Sequence, residues 1–265
     1  MRTRHDDPPI PDDVTPRDLD KVARNELKTL NKENGDEVAR HLVMAARLID
    51  EDPELAHRHA VSASRRAGRI AVVRETFAIT AYSIGDYALA LRELRTFRRI
   101  SGSNEQLALM IDSERALGRP DRALETGRSV ERSSLSVPTQ VAVAIAMSGA
   151  RLDLGQTDAA LAELEIPQLD PVTAYSYSSE LYDAYAEVLE ELGQSTEAAT
   201  WRARARRAEE AFAPEDDDVI EIVDEEYEVV DDADDADDTE DADDTEDADE
   251  TDEEGGTDGP VRQED

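Results

Sequence analysis

The sequence predicts an all-α chain built from repeated helix pairs, and two observations predict it. Apolar residues recur at helical spacing over most of residues 36–212. A glycine or acidic turn, followed five residues later by alanine, returns five times. The turns are Glu51 with Ala56, Gly85 with Ala90, Gly118 with Ala123, Gly155 with Ala160 and Gly193 with Ala198, so the spacings are 34, 33, 37 and 38 residues.

Residues 1–14 are polar and carry Pro8, Pro9 and Pro11, with no apolar stretch of the kind a secretory signal needs, and are expected to be disordered. Residues 15–34 are expected to form an N-terminal capping helix. Thr15-Pro16 reads as a helix start, Leu19, Val22, Ala23, Leu27 and Leu30 as its apolar stripe, and Asn34-Gly35 as its end.

Residues 35–213 hold the repeats. Upstream of each turn lies a helical stripe such as Leu42, Val43, Ala46, Leu48 and Ile49, or Val141, Ala144, Ile145, Met147 and Leu152. Downstream lies another, such as Leu89, Leu91, Leu94, Phe97 and Ile100. Glycine and acidic residues at the turns supply left-handed and N-cap conformations, and the alanine lets the second helix approach the first. A lone hairpin of this kind cannot bury both faces, so neighbours are expected to stack.

Phe77-Ala78, Gly85-Asp86-Tyr87, Ala90 and Leu94 fall in the order of a tetratricopeptide repeat. Met110-Ile111 with Ala123, Met147-Ser148 with Ala160, and Tyr185-Ala186 with Ala198 follow it more loosely. Over residues 36–212 the chain therefore resembles the tetratricopeptide repeat family. The resemblance implies a right-handed α-solenoid of about five hairpins, acting as a protein-binding adaptor or scaffold. The spacings of 37 and 38 depart from the 34-residue period of that family, and Pro167 and Pro171 mark the extra residues as a loop.

The resemblance also implies a peptide groove lined by first helices: Leu42, Ala45 and Ile49, then Thr76, Ile79 and Tyr82, then Leu109 and Asp112, then Ile145 and Leu152, then Asp183 and Glu187. Such a lining is apolar at first and acidic at its C-terminal end, which suits an amphipathic or partly basic peptide. Members of the family that clamp acidic chaperone C-termini use lysines. Here the lysines are Lys21, Lys28 and Lys32, all in the capping segment, so that subgroup does not fit.

Net charge of -36 is unevenly placed. Residues 214–265 contain 29 acids and one arginine, leaving 36 acids and 28 bases for residues 1–213. The tail has almost nothing to bury and is expected to be disordered, acting as an electrostatic modulator. Within it, Val219, Ile220, Ile222 and Val223 form a β-branched island that resembles the acid-flanked motifs recognised by ubiquitin-like modifiers.

Charge is also segregated within the body. Arg65, Arg66, Arg69, Arg92, Arg95, Arg98 and Arg99 cluster in the front half, whereas Asp153–Glu197 has 11 acids and no base. The arginines read either as a surface for phosphate or an acidic partner, or as solvated faces and helix ends favoured by the dipole. Three kinds of partner follow as expectations: a peptide or protein in the groove, the acidic tail folding back over these arginines, and, as the alternative function, a nucleic acid or ribosome with the tail as an autoinhibitory phosphate mimic.

No catalytic pattern survives inspection: there is no phosphate-binding glycine loop, no nucleophile elbow and no cysteine. His57 and His59 point about 200° apart on a helix, a poor metal pair, and read as partly exposed surface residues. No enzyme activity, metal or cofactor is expected. No run of 18 apolar residues occurs, so no membrane span is expected. A cytoplasmic location follows, and an arginine-to-lysine ratio of 26 to 3 agrees with a bacterial source.

Overall fold

The computed structural model describes residues 6–213, all within one unit, Met1–Glu215. The tail readings, its disorder, its modulating role and the Val219–Val223 island, lie outside the described residues.

The described residues are all-helical, with eleven α-helices, two short 3-10 turns and no strand. The first helix, α1 (Lys21–Glu26), is short. Ten longer ones follow: α2 (Lys32–Leu48), α3 (Pro53–Ala67), α4 (Ala71–Ser83), α5 (Tyr87–Ser101), α6 (Leu107–Ala116), α7 (Pro120–Arg128), α8 (Val137–Asp153), α9 (Thr157–Leu164), α10 (Ser178–Glu191) and α11 (Ser195–Phe212). They pack in consecutive pairs, α2 with α3, α4 with α5, α6 with α7, α8 with α9 and α10 with α11, and each pair also touches the next.

The same local device closes four of the five pairs. Gly85, Gly118, Gly155 and Gly193 have φ between +69° and +78°. Each donates its N–H three residues back, and the next residue donates five residues back, as in Gly118 to Arg115 O (2.8 Å) and Arg119 to Glu114 O (3.0 Å). The remaining pair, α2–α3, turns without glycine: Asp52 caps α3 by accepting from the Leu55 N–H, with Pro53 in the first turn. Ala56, Ala90, Ala123, Ala160 and Ala198 are all fully buried, so each second helix lies close against its partner.

Two expectations for the N-terminus are corrected. Residues 6–14 are placed against the body rather than free. Val14 is buried on Val43 and Met44, with Ile10 packed beside it. Arg40 Nε donates to the Val14 carbonyl (3.0 Å), and Asp7 pairs with Arg66 at 2.6 Å. The prolines that made this stretch look unstructured also hold it extended at low entropy cost, so a few contacts suffice.

The capping helix 15–34 is not one helix. Asp20 starts α1 by accepting from the N–H groups of Val22 and Ala23, and the chain breaks at Leu30. Asn31 then caps α2, accepting from Asn34 N–H at 2.9 Å. Asn34-Gly35 therefore lies in the first turn of α2, because the stronger start signal is the capping Asn31. Val22, expected on an apolar face, is 72% exposed.

The core runs along the pairs. Leu27, Val38, Leu42, Ala63 and Val73 join the first elements. Ile111, Leu124, Val143 and Met147 join α6, α7 and α8. Leu164, Leu181, Tyr185, Leu189 and Trp201 join α8 to α11. The loop between α9 and α10 is tied down by the Tyr182 hydroxyl, which donates to the carbonyls of Asp170 and Thr173.

Candidate functional site

The expected groove residues separate into three classes. Leu42 and Ala45 are 2% and 0% exposed and belong to the core. This corrects their assignment to a groove: Leu42 packs with Ala63, Ala67, Ile70 and Val73, leaving no surface for a ligand. Ile49, Thr76, Ile79, Tyr82, Leu109, Asp112, Ile145 and Leu152 are half-buried. Asp183 and Glu187 are exposed on α10.

Half-burial on α4, α6 and α8 brings together a polar network that the sequence did not single out. Glu75 lies one turn before Ile79 on α4 and accepts from Gln106 Nε2 at 2.8 Å. Burial pushes its carboxyl above the usual range; the Gln106 bond opposes this, and Glu26 and Glu105 add to it. Glu26 accepts from the Val72 N–H at 3.0 Å, capping α4, whose own N-cap residue Ile70 supplies no side-chain acceptor. Glu105 accepts from the hydroxyls of Ser136 and Thr139, linking the start of α6 to the start of α8.

Arg115 bridges α6 and α8. It donates to Asp112 Oδ1 (2.9 Å) and, in a fork, to Asp153 Oδ2 (2.8 Å) and Oδ1 (3.3 Å). Its guanidinium crosses directly over Gly149: a Cβ there would come within 2.3 Å of Arg115 Cζ. Burial nevertheless raises the Asp112 carboxyl, with Arg115 opposing and Asp153 adding. The Tyr82 phenol is raised too, by burial and then by Asp112. The strip along these helices is thus apolar at Ile79, Leu109 and Ile145, and sets the carboxylates Glu75, Asp112 and Asp153 against Arg115, an excess of two negative charges.

The seven arginines do not form one patch. Arg65, Arg66 and Arg69 lie at and just beyond the end of α3, and Arg66 is taken up by Asp7. On α5, Arg92 pairs with Glu93 (2.9 Å) and Arg95 with Glu114 (2.8 Å). Both acids are almost completely buried. Arg98 and Arg99, in the last turn of α5, make no ion pair among the described residues. With Arg95 they border an open cleft of about 560 Å³, whose floor includes Met110 and whose far wall is Glu125, Thr126 and Ser129 of the α7 end.

The expectation of a partly exposed histidine holds at His57 and is corrected at His59. His59 is fully buried and faces the equally buried His41, Nδ1 to Nδ1, at 2.9 Å. His57 is half-buried, bonded to the Thr80 hydroxyl (3.1 Å) and stacked on Phe77. Among the described residues, no group of three or more histidine, aspartate or glutamate side chains is placed to hold a metal ion, and no helix is long and apolar enough to cross a membrane.

Tyr182 and Tyr185 pack on Trp201, with centroids 5.3 and 5.1 Å away. Tyr175 and Tyr177 stack on each other at the surface, Tyr175 being 47% exposed. No family model matches the chain, and no curated protein matches it.

Proposed function

We propose that the chain is a cytoplasmic binding protein rather than an enzyme. In this reading it is a right-handed, tetratricopeptide-like solenoid of about five hairpins that holds an extended peptide along its first helices. The observation that carries the reading is the strip on α4, α6 and α8. Half-buried Ile79, Leu109 and Ile145 lie beside Glu75 and Asp112, whose carboxyls are pushed up by burial and neighbouring acids. Half-exposed apolar side chains offer anchoring area; Arg115 is shared by Asp112 and Asp153, and Glu75, beside Glu26 and Glu105, has no ion pair among the described residues, so the strip favours a ligand bringing positive charge. A partly basic, amphipathic peptide meets both conditions. The recurrent left-handed turns with a fully buried alanine five residues on support the repeat architecture.

The acidic tail fits the same reading as an electrostatic modulator: 28 net negative charges on one chain end raise the local concentration of basic partners and repel polyanions. The test is selection of a peptide library on the full chain, followed by titration of the enriched peptide against wild type, Ile79→Lys and Glu75→Gln/Asp112→Asn. Enrichment of Lys- or Arg-containing apolar sequences, with binding weakened about tenfold or more by Ile79→Lys, supports the groove. Enriched peptides that bind the three proteins equally overturn it.

A further inference from the structure

We propose that the cleft between the end of α5 and the end of α7 is an oxyanion site that takes a phosphoryl group. Its lining carries three guanidinium groups, Arg95, Arg98 and Arg99, against one carboxylate, Glu125. Beneath the lining, Glu114 is shared between Arg95 and Arg119, so counting that pair as well, four guanidinium groups face two carboxylates and the excess is two positive charges. A single carboxylate ligand would leave one of them unmatched, whereas a phosphate monoester carries about 1.5 to 2 negative charges near neutral pH.

The helix dipole accounts for arginines in the last turn of α5, but not for Arg95, which lies one turn earlier. Arg95 is held from below. Its Nη2 donates to Oε1 of Glu114, whose side chain is only 2% exposed, while Arg119 Nη1 stands 3.7 Å from the other oxygen. That second oxygen has no hydrogen-bond partner among the described residues. A buried carboxylate fixes the guanidinium by one edge and leaves its other N–H groups free for the cleft, so less side-chain entropy is lost when an anion arrives. Glu114 is a positioning residue here and touches no ligand. Thr126 on the opposite wall adds a neutral hydroxyl of the kind phosphoryl oxygens accept from, while the Ser129 hydroxyl beside it donates to the Thr126 carbonyl at 2.7 Å. The cleft opens between α5 and α7 over Met110 of α6 and shares no lining residue with the α4–α6–α8 strip, so each is tested by its own substitutions.

The experiment is calorimetric titration of the full chain at low ionic strength with inorganic pyrophosphate, with a short phosphothreonine peptide and with the same peptide carrying aspartate instead. Saturable binding of a phosphoryl probe is expected, weakening with added salt. Arg98→Gln/Arg99→Gln should reduce it about tenfold or more, while Arg65→Gln/Arg69→Gln, the same charge change on exposed residues elsewhere, leaves it within about twofold. Glu114→Gln should weaken it with an unchanged helical circular dichroism spectrum. Tighter binding of pyrophosphate than of the phosphopeptide identifies a free, small phosphate compound as the ligand class, and the reverse order a phosphorylated partner; both uphold the site. No saturable binding, equal losses from the two arginine pairs, or equal affinity for the aspartate peptide overturns the proposal.

Discussion

The Nδ1 atoms of His41 and His59 stand 2.9 Å apart, with both residues fully buried on the facing helices α2 and α3. In such a contact one ring donates and the other accepts, so the pair has no place for a proton on both nitrogens. Burial first, then His41 and Arg58, hold the His59 pKa down to about 4. A base whose folded pKa is depressed binds its proton more tightly once unfolded. Its contribution to stability is therefore complete above the unfolded value of about 6.5 and is lost as pH falls from there towards 4. Asp7, Asp18 and Asp20 are held below the ordinary carboxylate value, so their losses come at lower pH. Urea unfolding at pH 7 and pH 4.5 should show a loss on the order of 2 to 3 kcal/mol from His59. His41→Leu/His59→Leu, which removes both partners together, should flatten that dependence. An unchanged difference between the two pH values in the double variant would show that the acid sensitivity arises elsewhere.

At the tight turns the prediction is one of equivalence. A Cβ added at Gly118 or Gly155 would meet nothing within 4 Å, so substitution by alanine is opposed by the positive φ alone. Each substitution should cost about 1 kcal/mol, and the two costs should agree. Gly35→Ala is the control: its backbone is ordinary, its nearest contact is 3.5 Å away, and helix propensity should make it neutral or slightly stabilising. Chemical denaturation of the three variants checks this, and unequal costs at Gly118 and Gly155 would mean that the two turns are not the same device.

Gly127 is held to glycine for a different reason. It lies inside α7 and is buried, and a Cβ there would fall 2.2 Å from Met147 Sδ and 3.2 Å from Ile111 Cδ1. Met147 is itself buried in the core and has little room to retreat. Helix propensity favours alanine by about 1 kcal/mol, while overpacking costs about 1 to 3. Gly127→Ala should therefore be destabilising by about 1 kcal/mol net, and Met147→Ala should remove most of that penalty when the two are combined. Gly127→Ala as stable as wild type would show that α7 shifts freely against α8.

These outcomes separate what the sequence makes legible from what it hides. Gly85, Gly118, Gly155 and Gly193, and the alanines that follow them, announce themselves because a left-handed turn and a close helix approach are each satisfied by one residue type. The loop at Pro167–Pro171 is legible for the same reason. Leu42 and Ala45 are not, because helical spacing marks an apolar face without saying whether a neighbour covers it. The His41–His59 contact joins residues 18 positions apart through the register of two antiparallel helices. Glu93 and Glu114 look like ordinary surface acids in the sequence, yet both point inward and hold α5 arginines that charge counting treats as free. The carboxylates Glu75 and Glu105 become neighbours only when α4, α6 and α8 pack.

The last prediction concerns the loop that absorbs the irregular spacing between the last two pairs. Tyr182 is 2% exposed, and its hydroxyl donates to the carbonyls of Asp170 and Thr173, so one side chain of α10 holds both ends of the Asp170–Thr173 bend. Its ring packs on Trp201, which Tyr182→Phe preserves. The substitution removes the hydrogen bonds and leaves the packing, so global stability should fall by only about 1 kcal/mol. The local effect should be larger: amide exchange at Val172 and Thr173, whose N–H groups bond to Asp170 Oδ1, should accelerate about tenfold while amides within α10 and α11 keep their protection. Trp201 is the chain's one tryptophan, so its fluorescence reports directly on the packing that should stay intact. A shifted Trp201 emission, or exchange accelerated across α10 as well, would mean that the hydroxyl supports the helix pair and not merely the loop.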